Sequence, residues 1–209
     1  RTRQSVNNDS PHKSDGYGFI GELNWQSSDN TTVTSVSSFN NLERSHAFNC
    51  DGSPARLCEG VLGLDTHLFS QEFRVLNEFT HYTLTSGVYF ADETIKQDNI
   101  NDILRDFRGI LPADLTATFY YDNHIDTQNV ALFSQIEVPL ATRWLLTAGL
   151  RYDYESLEYS STSTLNVVVN PNDLAGVLVP FYTVSDKQSD NGITGQFALN
   201  YTYSDTANL

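Results

Sequence analysis

Apolar and polar residues alternate with a period of two over residues 129–159, and this is the clearest pattern in the chain. From Val130 to Val138, the residues at every second position are apolar except Ser134. After a break at 139–142, the alternation resumes at Trp144 and continues to Tyr154. A period of two is typical of β-strands that have one apolar and one polar face. The stretch therefore predicts two long strands joined by a tight turn.

Weaker alternation predicts five further strands, at residues 17–26, 31–39, 67–77, 81–91 and 192–203. Three long polar connections are predicted between strands, at residues 40–65, 92–126 and 160–191. In the second connection, apolar residues recur at helical spacing from Ile100 to Phe107, and Gly109 follows as a helix-stop signal. This pattern predicts a short amphipathic helix. Within the third, the run 165–169 predicts a small hairpin.

The connections alternate regularly between short and long. In transmembrane β-barrels, short periplasmic turns alternate with long extracellular loops, and strands of about 9–11 residues place apolar side chains outward between two girdles of aromatic residues. Seven strands and the start of an eighth would leave two open edges, which lipid does not tolerate. The predicted fold is therefore an all-β, antiparallel segment of a larger transmembrane barrel, with residues 1–209 in one barrel domain.

Charge and motifs exclude several classes of function. The 26 acidic and 12 basic residues give a net charge of -14, which argues against nucleic acid as a partner. The sequence has no motif of a serine hydrolase, a phosphate-binding loop or a zinc protease. We therefore expect neither an enzyme nor a resident cofactor or metal. His124 and Asp126, and the acidic loops, lack the ligand spacing of a metal site.

Cys50 and Cys58 are the only cysteines, and they lie in a polar segment that contains glycine and proline. Two cysteines so close together favour a local disulfide, which implies an oxidising compartment. The alternative is a pair of free thiols in a cytosolic loop. A zinc site is disfavoured because no second pair follows at the required spacing.

Four short motifs occur in order along the predicted strands: FSQEFRV at 69–75, TSGVYF at 85–90, ALFSQ at 131–135 and TAGLRYD at 147–153. In this order and spacing they resemble consecutive barrel strands of TonB-dependent outer-membrane receptors. The resemblance covers about residues 17–209, the middle of such a barrel.

The resemblance implies a 22-stranded barrel in the bacterial outer membrane, filled by an N-terminal plug domain. It also implies import of a scarce ligand, often a ferric siderophore, with energy supplied through TonB. The plug, the TonB-contacting motif and the C-terminal closing strand are expected to lie outside this chain. The expected partners are thus the ligand at the extracellular loops, the plug, TonB and the lipid bilayer.

The alternation also predicts where individual side chains point. Residues expected to face the lumen are Glu72, Arg74, Gln135, Glu137, Arg151 and Asp153. They are interpreted either as contacts to a plug or a ligand path, or as cross-strand ion pairs. Residues interpreted as an interfacial girdle, with ligand stacking as the alternative, are Tyr17, Trp25, Tyr82, Trp144 and Tyr152.

Three residues are candidates for direct ligand contact, because they lie where a long outer loop enters a strand: Tyr120, Tyr121 and His124. Ordinary loop packing is the alternative for them. Two other protein classes stay open at this point. A secreted β-sandwich would use its aromatic residues to bind carbohydrate or protein, and a passive porin would share the strand pattern but lack a plug.

Overall fold

The computed structural model describes residues 11–113, 115–168, 172, 175–204 and 207–208. Its strands are β1 (His12–Ser28), β2 (Thr31–Asn49), β3 (Cys58–Glu78), β4 (Thr83–Ile103), β5 (Thr118–Ala141), β6 (Trp144–Val167), β7 (Val177–Ser204) and β8 (Ala207–Asn208). They form one antiparallel sheet in sequence order, which is not closed. This confirms the predicted all-β, antiparallel architecture. Within the described residues, no helix is long and apolar enough to cross a membrane.

The strands are much longer than the alternation predicted. The long loop expected at 40–65 is wrong, because β2 continues to Asn49 and β3 begins at Cys58. The loop expected at 160–191 is reduced in the same way, since β6 and β7 pair as far as Val167 and Val177. The hairpin predicted at 165–169 is therefore wrong for its described part: Leu165 pairs with Val179 at the end of the long β6–β7 hairpin.

The helix predicted between residues 99 and 109 is also wrong. β4 runs through Ile100 to Ile103, and only the three residues Arg105–Phe107 form a 3-10 turn. Ile100 pairs with Val61 on one side and with Tyr120 on the other. Two neighbouring strands thus satisfy the backbone hydrogen bonds of this segment, and this tertiary pairing outweighs the local helical spacing.

Cross-strand register assigns each side chain to one of two faces, because directly opposed residues share a face. One row consists of Phe73, Val88, Leu132, Tyr152 and Ile193, and we call its face the outer face. The neighbouring row consists of Arg74, Gly87, Phe133, Arg151 and Thr194, and we call its face the inner face. The ends of the hairpins opposite the short turns are called the distal tips.

The outer face has an apolar band with aromatic residues at both borders. Near the short turns, Trp144 contacts Tyr201 with 4.7 Å between ring centroids. At the other border, Phe69 lies 6.5 Å from Phe90. Trp144 and Tyr154 are ten residues apart, which corresponds to about 25 Å of band height for a strand tilted by about 40°. This height matches the hydrocarbon layer that a transmembrane barrel spans.

The outer band is exposed within the chain, as a lipid-facing surface should be. Leu132 is 61% exposed and Phe197 is 75% exposed. Of the five residues predicted for the girdle, Tyr17, Trp25, Trp144 and Tyr152 lie on this face by register. Tyr82 lies in a short turn instead and stacks on Phe79 at 4.5 Å. A sandwich would bury such a surface against a second sheet, and all eight described strands belong to one connected sheet.

Two distal tips are fastened together. Cys50 and Cys58 form a disulfide with their Cα atoms 5.3 Å apart. In the same tip, the Arg56 backbone N–H donates to Asp106 Oδ2 at 2.9 Å, and Arg56 Nε donates to Asp106 Oδ1 at 2.7 Å. These bonds, the backbone bond first, lower the pKa of the Asp106 carboxyl. We call the Arg56–Asp106 pair the tip latch.

A small buried cluster lies beside the latch. Arg108 is 3% exposed; its Nε donates to the Thr116 carbonyl at 2.7 Å, and its Nη2 to Thr118 Oγ1 at 3.0 Å and to Asp102. Arg105 also pairs with Asp102, at 3.7 Å. Since both cations share one carboxylate, the β4–β5 tip is held by charge-assisted bonds. Specific contacts therefore hold the β2–β3 and β4–β5 tips.

Candidate functional site

The inner face beside the apolar band has a lattice of paired charges. The register places all six residues predicted for the lumen on this face: Glu72, Arg74, Gln135, Glu137, Arg151 and Asp153. Arg151 Nε donates to both oxygens of Asp153, at 2.9 and 3.0 Å, and Arg74 Nη1 lies 3.5 Å from Glu72 Oε1. The charges of these two pairs are thus balanced locally.

Aromatic rings fix the position of Arg151 in this lattice. Its guanidinium lies 5.6 Å from the centre of the Tyr89 ring and 5.9 Å from that of Phe133. Phe133 in turn lies over Gly87, where a Cβ atom would approach the ring to 2.5 Å. A glycine at position 87 therefore leaves the space that the Phe133 ring occupies. Together these contacts hold a cation–π arrangement of defined geometry on the inner wall.

A shallow recess of about 450 Å³ opens beside Arg151. Its walls include Glu72, Gln135 and Gln196, and the Gln196 amide donates to Gln135 Oε1. Gln135 donates to Glu137 at 2.9 Å. The recess thus presents amides and paired charges, which suit contact with another polar protein surface better than capture of an apolar ligand.

Towards the distal tips, the inner face becomes aromatic. Its rings belong to Phe119, Tyr121, Tyr159, Phe181 and Tyr182, and we call this set the inner aromatic patch. Phe119 stacks on Tyr121 with centroids 6.3 Å apart, and it meets Phe181 edge to face at 6.0 Å. Phe181 lies 5.8 Å from Tyr182. Such rings offer a large rigid surface to a small ligand.

Hydrogen bonds anchor two rings of the patch to the sheet. Asn123 Oδ1 accepts from Ser161 Oγ at 2.6 Å and from Tyr159 OH at 3.3 Å. The Ser161 hydroxyl also lies 3.3 Å from Tyr182 OH. Because Ser161 is buried, its own hydrogen bonds are shielded from water, and the network holds the two phenol groups against the sheet.

A β-bulge brings Phe181 into the patch. Ser163 opposes Tyr182 while Thr164 opposes Pro180, so Phe181 has no partner across the ladder. An extra residue of this kind re-aims the side chains of the bulged strand. The sequence pattern does not point to Phe181 or Tyr182, because it predicts a loop at residues 160–191. The run of β-branched and aromatic residues at 177–184 was the available signal for a strand.

A second recess adjoins the patch on β2, β3 and β4, with a volume of about 360 Å³. It is lined by Arg44, His46, Leu62, Leu64, Gln97 and Asn99, together with Gly63. Arg44 is exposed and has no ion pair among the described residues. The recess therefore offers an apolar floor, two amides and one available cation.

The three residues predicted to contact a ligand do not converge. Tyr121 lies on the inner face, within the inner aromatic patch, whereas Tyr120 and His124 lie on the outer face. His124 Nε2 is 2.7 Å from Asp126 Oδ2. In the part of the chain that the structure describes, no group of three or more histidine, cysteine or acidic side chains is arranged to hold a metal ion.

The chain is similar in structure to three siderophore receptors. The ferric-catecholate import receptor of E. coli K12, in its open form, matches with a TM-score of 0.71 and 14% identity over 98% of this chain and 36% of its own length. The ferric yersiniabactin uptake receptor of Yersinia pestis gives 0.66 and 16%, over 96% and 28%. The siderophore receptor PiuA of Acinetobacter baumannii gives 0.56 and 13%, over 93% and 31%.

At these identities the likeness shows the fold alone, and this chain spans about a third of each of those receptors. No curated protein sequence matches it. A family model described as TonB-dependent receptor-like β-barrel, however, matches residues 1–209. This family consists of receptors and transporters of the Gram-negative outer membrane. The chain therefore belongs to the TonB-dependent receptor-like β-barrel family and forms part of the barrel.

Proposed function

We propose that the complete protein is an outer-membrane receptor that binds a scarce small ligand, such as a ferric siderophore, and imports it with energy supplied through TonB. The observation that carries the proposal is the inner aromatic patch, a surface of packed rings that lies beyond the apolar band, towards the distal tips of the sheet. In this arrangement the distal tips are extracellular, because the short turns of outer-membrane barrels are periplasmic. The patch then lies where a ligand arrives from outside.

The charged lattice around Arg151 has a different role in the proposal. It lies at the depth of the apolar band, and its cations are already paired. We propose that this part of the wall contacts the plug domain, whose polar surface the amides of Gln135 and Gln196 would meet. The lattice then supports the plug, while the distal wall binds the ligand.

Uptake by living cells tests the function. The complete gene is expressed in a bacterium that lacks its own siderophore receptors, and entry of 55Fe is followed for ferric hydroxamate and ferric catecholate chelates. We expect saturable uptake of at least one chelate, which disappears when the tonB gene is deleted. Uptake that persists without TonB and does not saturate would indicate a passive porin instead.

A fractionation experiment tests the location. The complete protein should be recovered in the outer-membrane fraction and should stay folded only in detergent or lipid. Recovery as a monodisperse, β-rich protein in plain buffer would contradict the membrane assignment. The control is the same analysis of a known soluble periplasmic protein from the same cells.

A further inference from the structure

The distal inner wall has little available positive charge. Among the described cations of the inner face, Arg74 and Arg151 are paired with Glu72 and Asp153 near the apolar band. Arg44 is the one that has no ion pair. A ligand that reaches this part of the wall therefore meets a single free guanidinium.

The cations of the distal tips are also occupied. Arg56 is paired with Asp106, and both Arg105 and Arg108 are paired with Asp102. Lys187, on the outer face of β7 below the tip, is paired with Glu158. The chain as a whole has a net charge of -14. Because like charges repel, and repel more strongly near a low-dielectric surface, the distal inner wall disfavours a ligand with several negative charges.

Uncompensated acids strengthen this effect on the inner face itself. Glu93 and Asp186 lie there by register, and neither has an ion pair among the described residues. Glu93 is on β4, which flanks the inner aromatic patch, and Asp186 lies directly opposite Tyr159 of the patch. An anionic chelate in contact with the rings would thus have carboxylates nearby and only Arg44 to offset them.

In place of positive charges, the distal inner wall offers apolar surface and hydrogen-bond donors and acceptors. Its apolar surface comes from the inner aromatic patch and from Leu62 and Leu64. Amide groups are available at Gln97 and Asn99, whose side chains make no hydrogen bond within the described residues. Rings, aliphatic groups and amides together suit a ligand with rings or methylene groups and neutral carbonyl or hydroxyl groups.

We propose, on the basis of the proposed function, that this wall selects an amphipathic ligand with no more than one anionic group, and that Arg44 binds that group. The ligand's apolar part lies against the inner aromatic patch, and its carbonyl groups accept hydrogen bonds from Gln97 and Asn99. Arg44 lies in the recess that contains both amides, and Asn99 lies directly opposite Tyr121 of the patch in the strand register, so the recess and the patch form adjoining surfaces.

Binding to the complete receptor in detergent tests the charge preference. The probes are a neutral ferric tris-hydroxamate, a ferric tris-catecholate of charge -3, and neutral cyanocobalamin, each measured by calorimetry at low and at high salt. We expect a neutral probe to bind at least tenfold more tightly than the tris-catecholate. Equal or tighter binding of the tris-catecholate, or failure of all three probes to bind, would overturn the inference.

Two cation variants test the role of Arg44. The probe is the ferric tris-hydroxamate that has a single added carboxylate. R44A should weaken its binding at least tenfold, whereas K96A, which removes an exposed unpaired cation from the outer face, should change it less than twofold. Equal losses in both variants would show a long-range effect of net charge and would overturn the assignment of Arg44.

These results separate the inference from the proposed function. Binding of cyanocobalamin alone would contradict the iron-chelate cargo and would support the preference for a neutral ligand. TonB-dependent uptake of the tris-catecholate with tight binding would support the function and would overturn the preference. Each proposal therefore fails on a different result.

Discussion

The two faces of the sheet exchange their polarity along the strands. Within the band the outer face is apolar, as at Leu132 and Ile193, and the inner face has ion pairs. Beyond Tyr154 the outer face becomes polar, with Thr94 donating to Asp126 at 2.7 Å, and the inner face becomes aromatic. Under the proposed function, the outer surface would thus match lipid and then water, and the inner surface would match the plug and then the ligand.

The largest expected effect comes from breaking the outer band. Leu150→Arg places a charge near the middle of the outer apolar band, between Trp144 and Tyr154 on the same strand, and should cost about 2–4 kcal/mol at the bilayer midplane. We expect loss of the folded protein from the outer membrane, measured by membrane yield and by heat-modifiable migration on gels. Thr162→Arg, on the same face beyond the band, is the matched control and should fold normally. Equal yields of the two variants would contradict the assignment of the band.

The second largest effect concerns ligand binding, and it distinguishes the inner face from the outer face near the distal tips. Tyr121 and Tyr120 are neighbours in sequence but lie on opposite faces. With the neutral chelate as probe, Tyr121→Ala should weaken binding at least tenfold, while Tyr120→Ala should change it less than twofold. The sequence interpretation, in which both tyrosines contact the ligand, predicts similar losses for the two variants. Calorimetry on the detergent-solubilised receptor decides between them.

A smaller effect concerns the packing of the inner wall. Gly87→Ala should destabilise the protein by about 1–3 kcal/mol, because the new methyl group overlaps with the Phe133 ring. Gly192→Ala is the matched control, since nothing lies within 4 Å of its Cβ position. Thermal unfolding in detergent measures both. A lower stability for Gly192→Ala than for Gly87→Ala would contradict the described packing.

The smallest effect is local and depends on pH. The lowered pKa of Asp106 means that the folded tip binds its proton less readily than the unfolded chain does. The latch therefore contributes fully above the unfolded carboxyl pKa of about 4, and its contribution is lost as the pH falls through the lower folded value. Hydrogen exchange at residues 50–57 and 104–108 should speed up in acid, relative to the intrinsic rate.

Asp106→Asn should show the faster exchange already at neutral pH. Asp98→Asn, which removes an exposed carboxylate that lies outside the latch, is the control and should exchange like the unchanged protein. If acid left the protection of these segments unchanged, the latch would not be what orders the tip.

The exchange of polarity explains how far the sequence predicted the fold. In β5 the apolar residues are outward at even positions, such as Val130 and Leu132, but inward at odd positions beyond the band, such as Ile125 and Tyr121. At the border of the band, the apolar residues therefore change from even to odd positions, and the regular alternation ends. The transmembrane parts of the strands were predicted correctly for this reason, and their extensions were interpreted as loops.

The candidate site was predicted less completely. The alternation predicts that Tyr121 points inward only if the strand is known to begin before Asn129 and to include residue 121. Phe181 depends on a bulge, and Arg44 on the register between β2 and β3. Both features depend on how separate strands pair with one another, and a local sequence pattern does not specify that pairing. The four motifs of the band, by contrast, were sufficient to indicate the family.

The continuous strands also restrict how the distal part of the sheet can change in evolution. Each added residue in a paired strand moves every later side chain to the opposite face, whereas two added residues restore the original faces. Insertions along β2 to β7 should thus be tolerated in even numbers, or with a compensating bulge such as the one at Phe181. Odd insertions should be confined to the tips, where parity has no effect on the wall.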